Sequence, residues 1–511
     1  MNTGTSIKDR VFSGTLWMAT ISFGQQILQF VLQIVLARLL MPHDYGAAAI
    51  AMTVCMFATV FSSAGIGAAI VQRKELPDSV KDAAAVITGG MALLLGGVVF
   101  ALSGLIASYY KLPELSVLFR IAAIDIFFKV MISLYDGLML RALQYRSLSV
   151  RAFIGLVVQG VVSIILARIG WGARSLVIGY VSGSFVQLLL CVGVTRYIPH
   201  SCGSFHEVVD VFKFGGWVLL GRIANQAAAT LDQVIVARFL NAASIGLINV
   251  SKHLSSILPN TIIGFSGRIT LPVFSRWQED IQRIESNYWR GVRVQLMIAT
   301  PLCALVALCS YQILALLFGA KWLAGTTVMK IYALQATIIA MEGSMTGSVI
   351  NAMGKPKFGT LILVGSLFLM PLCSYTGSQF GIVGVAWAFV GYAIVVVVAD
   401  QFVLWRQFNF RVINILVATI RQAVATLPMI LAGLLILHLG FLPFDPPPAI
   451  LSVDWFFLGC KLLVYGLTCI GVYGLTARYL LREDFLYVWR GLGEVLHNKG
   501  KTNKARMGES K

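Results

Sequence analysis

Four polar side chains recur at helical spacing inside the first long apolar stretch of the sequence. They are Ser22, Gln26, Gln29 and Gln33, separated by four, three and four residues. This spacing places them on one face of a helix. Polar side chains are costly against hydrocarbon, so this face is expected to meet either a water-filled cavity or another helix.

A second polar face follows 200 residues later in the chain. Arg222, Gln226 and Gln233 occupy positions equivalent to those of the first face, and Asn225 and Asp232 lie beside them. A single Gln in a membrane bundle is most simply a hydrogen bond between helices. Two matched polar faces favour a cavity that can hold a hydrated, polar ligand, and interhelical hydrogen bonding is the alternative.

Ionisable residues inside apolar stretches are a sharper signal, since each costs about 2.5–3.5 kcal/mol at the centre of a bilayer on insertion scales. Arg222 and Asp232 are about 15 Å apart along a helix, so they cannot pair with each other. Asp125 and Lys129 are spaced for an ion pair within one helix. The other candidates are Arg120, Asp136, Lys252, His253, Lys330, Glu342, Asp400 and Lys461.

The elements that must position these residues are long apolar helices. The 511 residues are 58% hydrophobic and only 12% charged, against about 25% charged in soluble domains. Apolar stretches long enough to cross a hydrocarbon core about 30 Å thick recur throughout. They predict an all-α polytopic membrane protein with about 14 transmembrane helices, at 11–37, 46–71, 83–108, 116–140, 150–167, 174–195, 212–237, 245–271, 294–318, 326–350, 358–377, 381–405, 414–440 and 454–480.

The basic residues predict the orientation of these helices. With alternating spans, 28 of the 40 Lys and Arg residues fall on the side of the N-terminus and six on the other side. The positive-inside rule then predicts that both termini are cytoplasmic. The net charge of +18 is explained by this topology beside an anionic leaflet and needs no nucleic acid. The eight cysteines show no metal-ligand or disulfide pattern, so no metal or other cofactor is expected.

The sequence contains an internal repeat. Residues 11–46 and 211–246 align without a gap and share Trp, Gln, Ala-Arg and Gly positions, nine identities in all. Six predicted spans separate the copies, so the two halves are parallel repeats. This predicts two pseudo-symmetric six-helix bundles around a central cavity plus two C-terminal helices. The predicted domains are 1–200, 201–410, 411–481, and a cytoplasmic amphipathic helix and basic tail at 482–511.

Several motifs resemble the Wzx-type polysaccharide and lipid-linked oligosaccharide flippases of the MOP superfamily, which also contains the MATE drug antiporters. In the first half these motifs are "IVLARLLMPHDYG" (34–46) and "AGIGAAIVQRKEL" (64–76). In the second half they are "FKFGGW" (212–217), "VARFLNAASIG" (236–246), "LPVFSRWQED" (271–280) and "LLFGAKW" (316–322). The resemblance covers spans 1–2 and 7–10 well and the remaining spans only through hydropathy.

The resemblance implies translocation of undecaprenyl-diphosphate-linked oligosaccharide units by alternating access, for exopolysaccharide, capsule or O-antigen synthesis. An anionic diphosphate needs fixed positive charge along its path, and Arg binds phosphate with a two-pronged geometry. Arg222 and Lys252 are the preferred ligands, with Arg268 at the cytoplasmic mouth. Arg38 and Arg238 flank the outer ends of spans 1 and 7, where the alternatives are that they receive the diphosphate, form gate contacts when the two halves close, or serve as interface anchors.

Two other functions fit the sequence less well. A MATE-like cation-coupled drug antiporter needs carboxylates in the cavity of the first bundle. Asp125 and Asp136 are available, but span 1 offers only Gln and Ser. A membrane glycosyltransferase or polymerase needs a catalytic carboxylate on a sizeable outer loop. The predicted outer loops of this chain are short, so enzymatic activity is not expected. The implied partners are the lipid-linked substrate, membrane lipids, and a polysaccharide polymerase with its co-polymerase. The implied location is a bacterial inner membrane.

Overall fold

The structure is a computed structural model of the chain. It describes residues 7–63, 70, 76–199, 226, 230–341, 345–442 and 453–487. The predicted ligands Arg222 and Asn225 lie outside these residues, as do Glu342 and most of the predicted tail. The backbone of Arg268 is described, but its side chain lies outside the described set.

The described residues form helices and their connections. A helix satisfies its backbone hydrogen bonds within one segment, which is what a chain crossing hydrocarbon requires. The helices are α1 Ile7–Leu39, α2 Pro42–Ser63, α3 Asp78–Tyr109, α4 Leu115–Arg141, α5 Tyr145–Arg168, α6 Ala173–Thr195, α7 230–239, α8 Ala242–Ser275, α9 Ile281–Leu308, α10 Ser310–Leu317, α11 Thr326–Ala340, α12 Met345–Ala352, α13 Pro356–Ser378, α14 Gly381–Phe408, α15 Ile413–His438 and α16 Val453–Leu480, with a 3-10 turn at Ala320–Gly325.

Ten helical segments among the described residues are long and apolar enough to cross a membrane. They include α3, with 32 residues, and α14, with 28. Three further predicted spans are also helical, at α2, α4 and α8. The all-α polytopic fold predicted from hydropathy is confirmed, and the count of fourteen spans stays a prediction.

The chain packs as two compact units. Unit 1 comprises Met1–Asn249 and Met370–Gly381, and unit 2 comprises Val250–Leu369 and Ile382–Lys511. In unit 1, α3 packs along α4 and α5 packs along α6. In unit 2, α9 packs against both α11 and α15. These units are defined by packing, whereas the predicted division at residue 200 rests on the repeat and stays a prediction.

Two successive buried hydrogen bonds join the C-terminal helices α15 and α16 to α9 within unit 2. The Gln422 amide donates to the Tyr473 hydroxyl at 2.5 Å, and this hydroxyl donates to the Met297 carbonyl oxygen at 2.7 Å. Met429 and Tyr465 belong to the apolar cluster around it. A hydrogen bond sealed inside an apolar cluster is expensive to break, because water cannot replace the missing partner.

We therefore expect Tyr473→Phe to destabilise unit 2 by about 1–3 kcal/mol, the usual penalty for an unsatisfied buried polar group. Thermal unfolding of the purified protein in detergent measures the change as a lower melting temperature. Tyr479→Phe is the matched control, since Tyr479 lies on the same helix and is 82% exposed. Equal melting temperatures for the two variants would show that these buried hydrogen bonds contribute nothing to the stability of the protein.

Candidate functional site

Gln233 of the second predicted polar face joins three helices of unit 1. Its amide nitrogen donates to the Asn249 side-chain oxygen on α8 at 2.8 Å, and its amide oxygen accepts from the Thr53 hydroxyl on α2. Thr53 is buried, and Gln233 is half-buried. These are the interhelical hydrogen bonds that were the alternative to a cavity, and a cavity role for Gln233 stays a prediction.

The first polar face is more open. Gln26 is exposed on unit 1, while Gln33, about two turns further along α1, is half-buried. The backbone oxygen of Gln33 accepts a hydrogen bond from the Tyr45 hydroxyl at 3.1 Å. Gln226, the counterpart of Gln26, is half-buried, and its carbonyl oxygen accepts from Thr230. The four glutamines therefore differ in their surroundings, although the sequence gives them equivalent positions.

Asp232 is the most enclosed of the described residues that were predicted to line the cavity. Its side chain is 6% exposed, and it precedes Gln233 on α7. A carboxyl group enclosed in this way on a membrane helix is costly and marks a place where the interior is polar.

Lys252 belongs to unit 2, on the part of α8 that is hydrogen-bonded to the 3-10 turn and to the start of α11. Its ammonium group lies 4.9 Å from the centre of the Phe389 ring, a cation–π geometry. Two serines fix this stretch of α8: Ser251 donates to the Gly325 carbonyl oxygen and Ser255 to the Met329 carbonyl oxygen. The Lys252 charge is therefore carried by a well-anchored helix, and its side chain is half-buried.

The two predicted gate residues lie at the ends of α1 and α7, as their positions in the repeat require. The Arg238 guanidinium lies 5.2 Å from the centre of the Tyr109 ring at the end of α3. Arg38 is half-buried in the last turn of α1. The ring contact of Arg238 fits the interface-anchor alternative, and a gating role for either Arg stays a prediction.

Gly46 and Gly246 form a close contact that the sequence reasoning missed. A Cβ atom added to Gly46 would collide with the Ala242 carbonyl oxygen and lie 3.0 Å from the Gly246 nitrogen. A Cβ atom added to Gly246 would collide with the Pro42 carbonyl oxygen and lie 3.2 Å from the Gly46 nitrogen. The start of α2 thus meets the start of α8 backbone to backbone. Their identity across the repeat was the available signal.

Two carboxylates of α4, Asp125 and Asp136, are paired with cations. The Lys129 ammonium lies 2.7 Å from the Asp125 carboxylate, which confirms the pair predicted from their spacing. Asp125 is fully buried, and Lys129 also lies over the Tyr180 ring. A second pair joins Asp136 of α4 to the guanidinium of Arg151 on α5. Within the described residues, no group of three or more His, Cys, Asp and Glu side chains could hold a metal ion.

The fold and the intramembrane polar residues define a multi-pass membrane protein, and its architecture is similar to that of solved transporters. Over 92% of this chain and 99% of the other, the structure resembles the lipid II flippase MurJ in an inward closed conformation, with a TM-score of 0.70 and 16% identity. An inward-facing MATE family multidrug resistance transporter gives a TM-score of 0.55 at 16% identity, over 78% of this chain and 95% of that one.

The sequence comparisons identify the family. The family model described as "Polysaccharide biosynthesis protein" matches residues 35–326, more than half of the chain. The lipopolysaccharide biosynthesis protein WzxC of Escherichia coli is 24% identical over 408 residues, covering 78% of this chain and 82% of WzxC. The teichuronic acid biosynthesis protein TuaB of Bacillus subtilis is 24% identical over 439 residues, covering 85% and 89%. The chain belongs to the polysaccharide biosynthesis protein family, which confirms the resemblance predicted from its motifs.

We expect Gly46→Ala to disrupt the contact between α2 and α8. The added methyl group meets backbone atoms, which cannot move aside as a side chain can, and overpacking of this kind costs about 1–3 kcal/mol or more. The expected result is a lower melting temperature together with reduced export of polysaccharide. Gly89→Ala on α3 is the matched control, because a Cβ atom there meets nothing within 4 Å. A Gly46→Ala variant as stable and active as Gly89→Ala would contradict the assigned contact.

Proposed function

We propose that this protein translocates undecaprenyl-diphosphate-linked oligosaccharide units across a bacterial inner membrane by alternating access, for the synthesis of a surface polysaccharide. The observation that carries the proposal is the family match over residues 35–326. The likeness to a lipid II flippase supports a fold suited to this class of transport. The proposal includes cytoplasmic termini and no enzymatic activity.

The physical requirement of this transport is a path for a diphosphate and its sugars through hydrocarbon. An unpaired charge in such a medium is strongly unfavourable, so the protein must provide cationic and hydrogen-bonding groups along the way. Lys252 on α8 offers a cation whose helix is held by Ser251 and Ser255. The predicted polar face follows the "FKFGGW" motif of the second half and is supplied by Arg222, Asn225, Gln226, Asp232 and Gln233.

The MATE-like alternative is the weaker one for a physical reason. A cation-coupled antiporter needs a carboxylate that can bind a proton or a cationic drug. Asp125 and Asp136, the candidates in the first half, are paired with Lys129 and Arg151. A carboxylate held by a basic partner in a low-dielectric setting is a poor acceptor for a second cation.

The proposed partners follow from the reaction. A lipid-linked repeat unit delivered to the outer leaflet must be consumed by a polymerase. A co-polymerase would control the length of the polysaccharide that the polymerase makes. Reconstitution tests the transport step by itself. Proteoliposomes holding the purified protein and a fluorescent undecaprenyl-diphosphate oligosaccharide should expose the lipid to an external quencher faster than protein-free liposomes. Equal quenching rates would contradict the proposed function.

We expect Arg222→Ala to block export while membrane levels stay normal. Losing a charge-assisted contact of about 1.5–3 kcal/mol corresponds to a ten- to hundred-fold lower transport rate. Arg222→Lys should retain part of the activity, since the charge survives without the guanidinium geometry. Arg174→Ala is the control, because Arg174 is exposed at the outer start of α6. Normal export by Arg222→Ala, or its loss from the membrane, would remove Arg222 from the substrate path.

We also expect Gln26→Cys and Gln226→Cys to react with a small water-soluble thiol reagent, in a background lacking the eight native cysteines. The reason is that both residues are predicted to line one shared, water-filled path. Val31→Cys and Leu231→Cys are the matched controls. Each sits five residues further on, about 140° around the helix, and should stay protected.

Two labelling results would contradict the expectation that both cysteines react. Reaction at residue 26 alone would mean that only the first polar face lines the path. Protection at both residues would make the two faces helix contacts of the kind that Gln233 makes with Thr53 and Asn249. Added lipid-linked oligosaccharide should slow both reactions together, because one headgroup occupies the shared path.

A further inference from the structure

An apolar groove of about 450 Å³ runs between α13 and α14 within unit 2. On α13 it extends from Phe358 to Leu369, and on α14 from Val395 to Gln407. The two helices are antiparallel, since Lys355 at the start of α13 contacts Gln407 near the end of α14. Phe358 and Gln407 therefore mark one end of the groove. Leu369 and Val395 mark the other end.

The wall of the groove is almost entirely hydrocarbon and open to its surroundings. Leu361 is 64% exposed and Phe402 57% exposed along it. Gly365 lies midway, and a Cβ atom built there meets nothing within 4 Å. An exposed apolar face of this kind on a membrane-spanning helix is a surface for lipid chains rather than for water.

The groove is charged at one end only. Arg406 and Gln407 line that end, and no acidic side chain among the described residues forms an ion pair with Arg406. The Lys355 ammonium reaches the Gln407 side-chain oxygen at 3.4 Å and lies 5.0 Å from the centre of the Phe408 ring. Two cations therefore flank one end of the apolar groove. This arrangement is complementary to a lipid that carries an anionic headgroup on a hydrocarbon chain.

The length of the groove selects among anionic lipids. The groove spans twelve residues of α13 and thirteen of α14, and their first and last Cα atoms are about 17–18 Å apart at a rise of 1.5 Å per residue. Half of a hydrocarbon core about 30 Å thick is about 15 Å. One acyl chain of a phospholipid in a single leaflet fits this length, whereas an undecaprenyl chain is much longer. The positive-inside rule assigns the end at Lys355 and Arg406 to the cytoplasmic leaflet.

We propose that this groove binds one acyl chain of an anionic phospholipid of the cytoplasmic leaflet, with the phosphate against Arg406. The groove shares no residue with the predicted polar faces, and the proposal does not depend on the transported glycan. The lipid fills a cleft that the side chains of α13 and α14 leave open, and it stays with the protein when bulk lipid is removed.

Native mass spectrometry of the detergent-purified protein tests the site, with added phosphatidylglycerol or phosphatidylcholine of identical chains as probes. We expect phosphatidylglycerol to be retained about five-fold better, the factor that corresponds to about 1 kcal/mol for one basic residue at an anionic surface. Gly365→Phe fills the groove and should remove one retained lipid. Gly391→Phe is the matched control on α14, because a Cβ atom there also meets open space.

A second pair of variants separates lipid binding from folding. Arg406→Gln leaves the groove intact, so one lipid should still be retained, but the five-fold preference for phosphatidylglycerol should disappear. Arg411→Gln should keep the preference, since Arg411 lies past the end of α14 and its backbone N–H, which bonds Glu285, is unchanged. Equal retention of the two lipids by the unsubstituted protein would overturn the proposal, as would full retention by Gly365→Phe.

The same measurement distinguishes the occupant. Undecaprenyl phosphate added in competition should not displace the phosphatidylglycerol that is sensitive to Gly365→Phe. Displacement of that lipid would make the groove a site for the tail of a polyprenyl lipid and would overturn the assignment to a phospholipid.

Discussion

The hydrocarbon core of the membrane supplies no hydrogen bonds, and this constraint governs the rest of the structure. Every backbone N–H and C=O group must find its partner within the protein, so the chain is built from long helices. Every polar side chain at that depth must also find a partner, because an unsatisfied polar group costs several kcal/mol there. Among the residues that the structure describes, most of the enclosed polar side chains have identifiable partners.

The partners are of two kinds. Asp125 with Lys129, and Asp136 with Arg151, neutralise charge within unit 1. The chain from Gln422 through Tyr473 to the Met297 backbone joins α15 and α16 to α9 in unit 2. Removing one member of such a pair leaves the other buried and unsatisfied, which costs more than the pair itself contributes. These contacts specify which helices are neighbours where apolar packing alone would permit several arrangements.

The duplicated sequence has a structural counterpart in the contact between Gly46 and Gly246. Glycine at both positions lets the starts of α2 and α8 approach until backbone meets backbone. Close approach through small residues is a general way to join membrane helices, because lipid gives no hydrophobic drive for their association. A gene duplication that preserved Gly in both copies preserved this approach. Gln26 and Gln226 also occupy equivalent positions in the two copies, but their surroundings differ.

The sequence by itself determined the fold class, the family and the local ion pair. Hydropathy predicts membrane helices because helix length and bilayer thickness are matched by a simple rise per residue. The Asp125–Lys129 pair could be predicted because both residues lie on one helix, one turn apart. The repeat and its motifs were enough to identify the family, because they are properties of the order of residues and need no coordinates.

Only the tertiary structure decided what Gln233, Lys252 and Gly46 contact. Their partners Asn249, Phe389 and Ala242 lie on other helices. A polar residue on a membrane helix meets the same energetic requirement whether it faces water or another helix, so spacing alone leaves both readings open. The groove between α13 and α14 was equally invisible, since it depends on how far two apolar helices separate. Sequence periodicity fixes the faces of each helix, but the choice of neighbour rests on contacts between residues far apart in the chain.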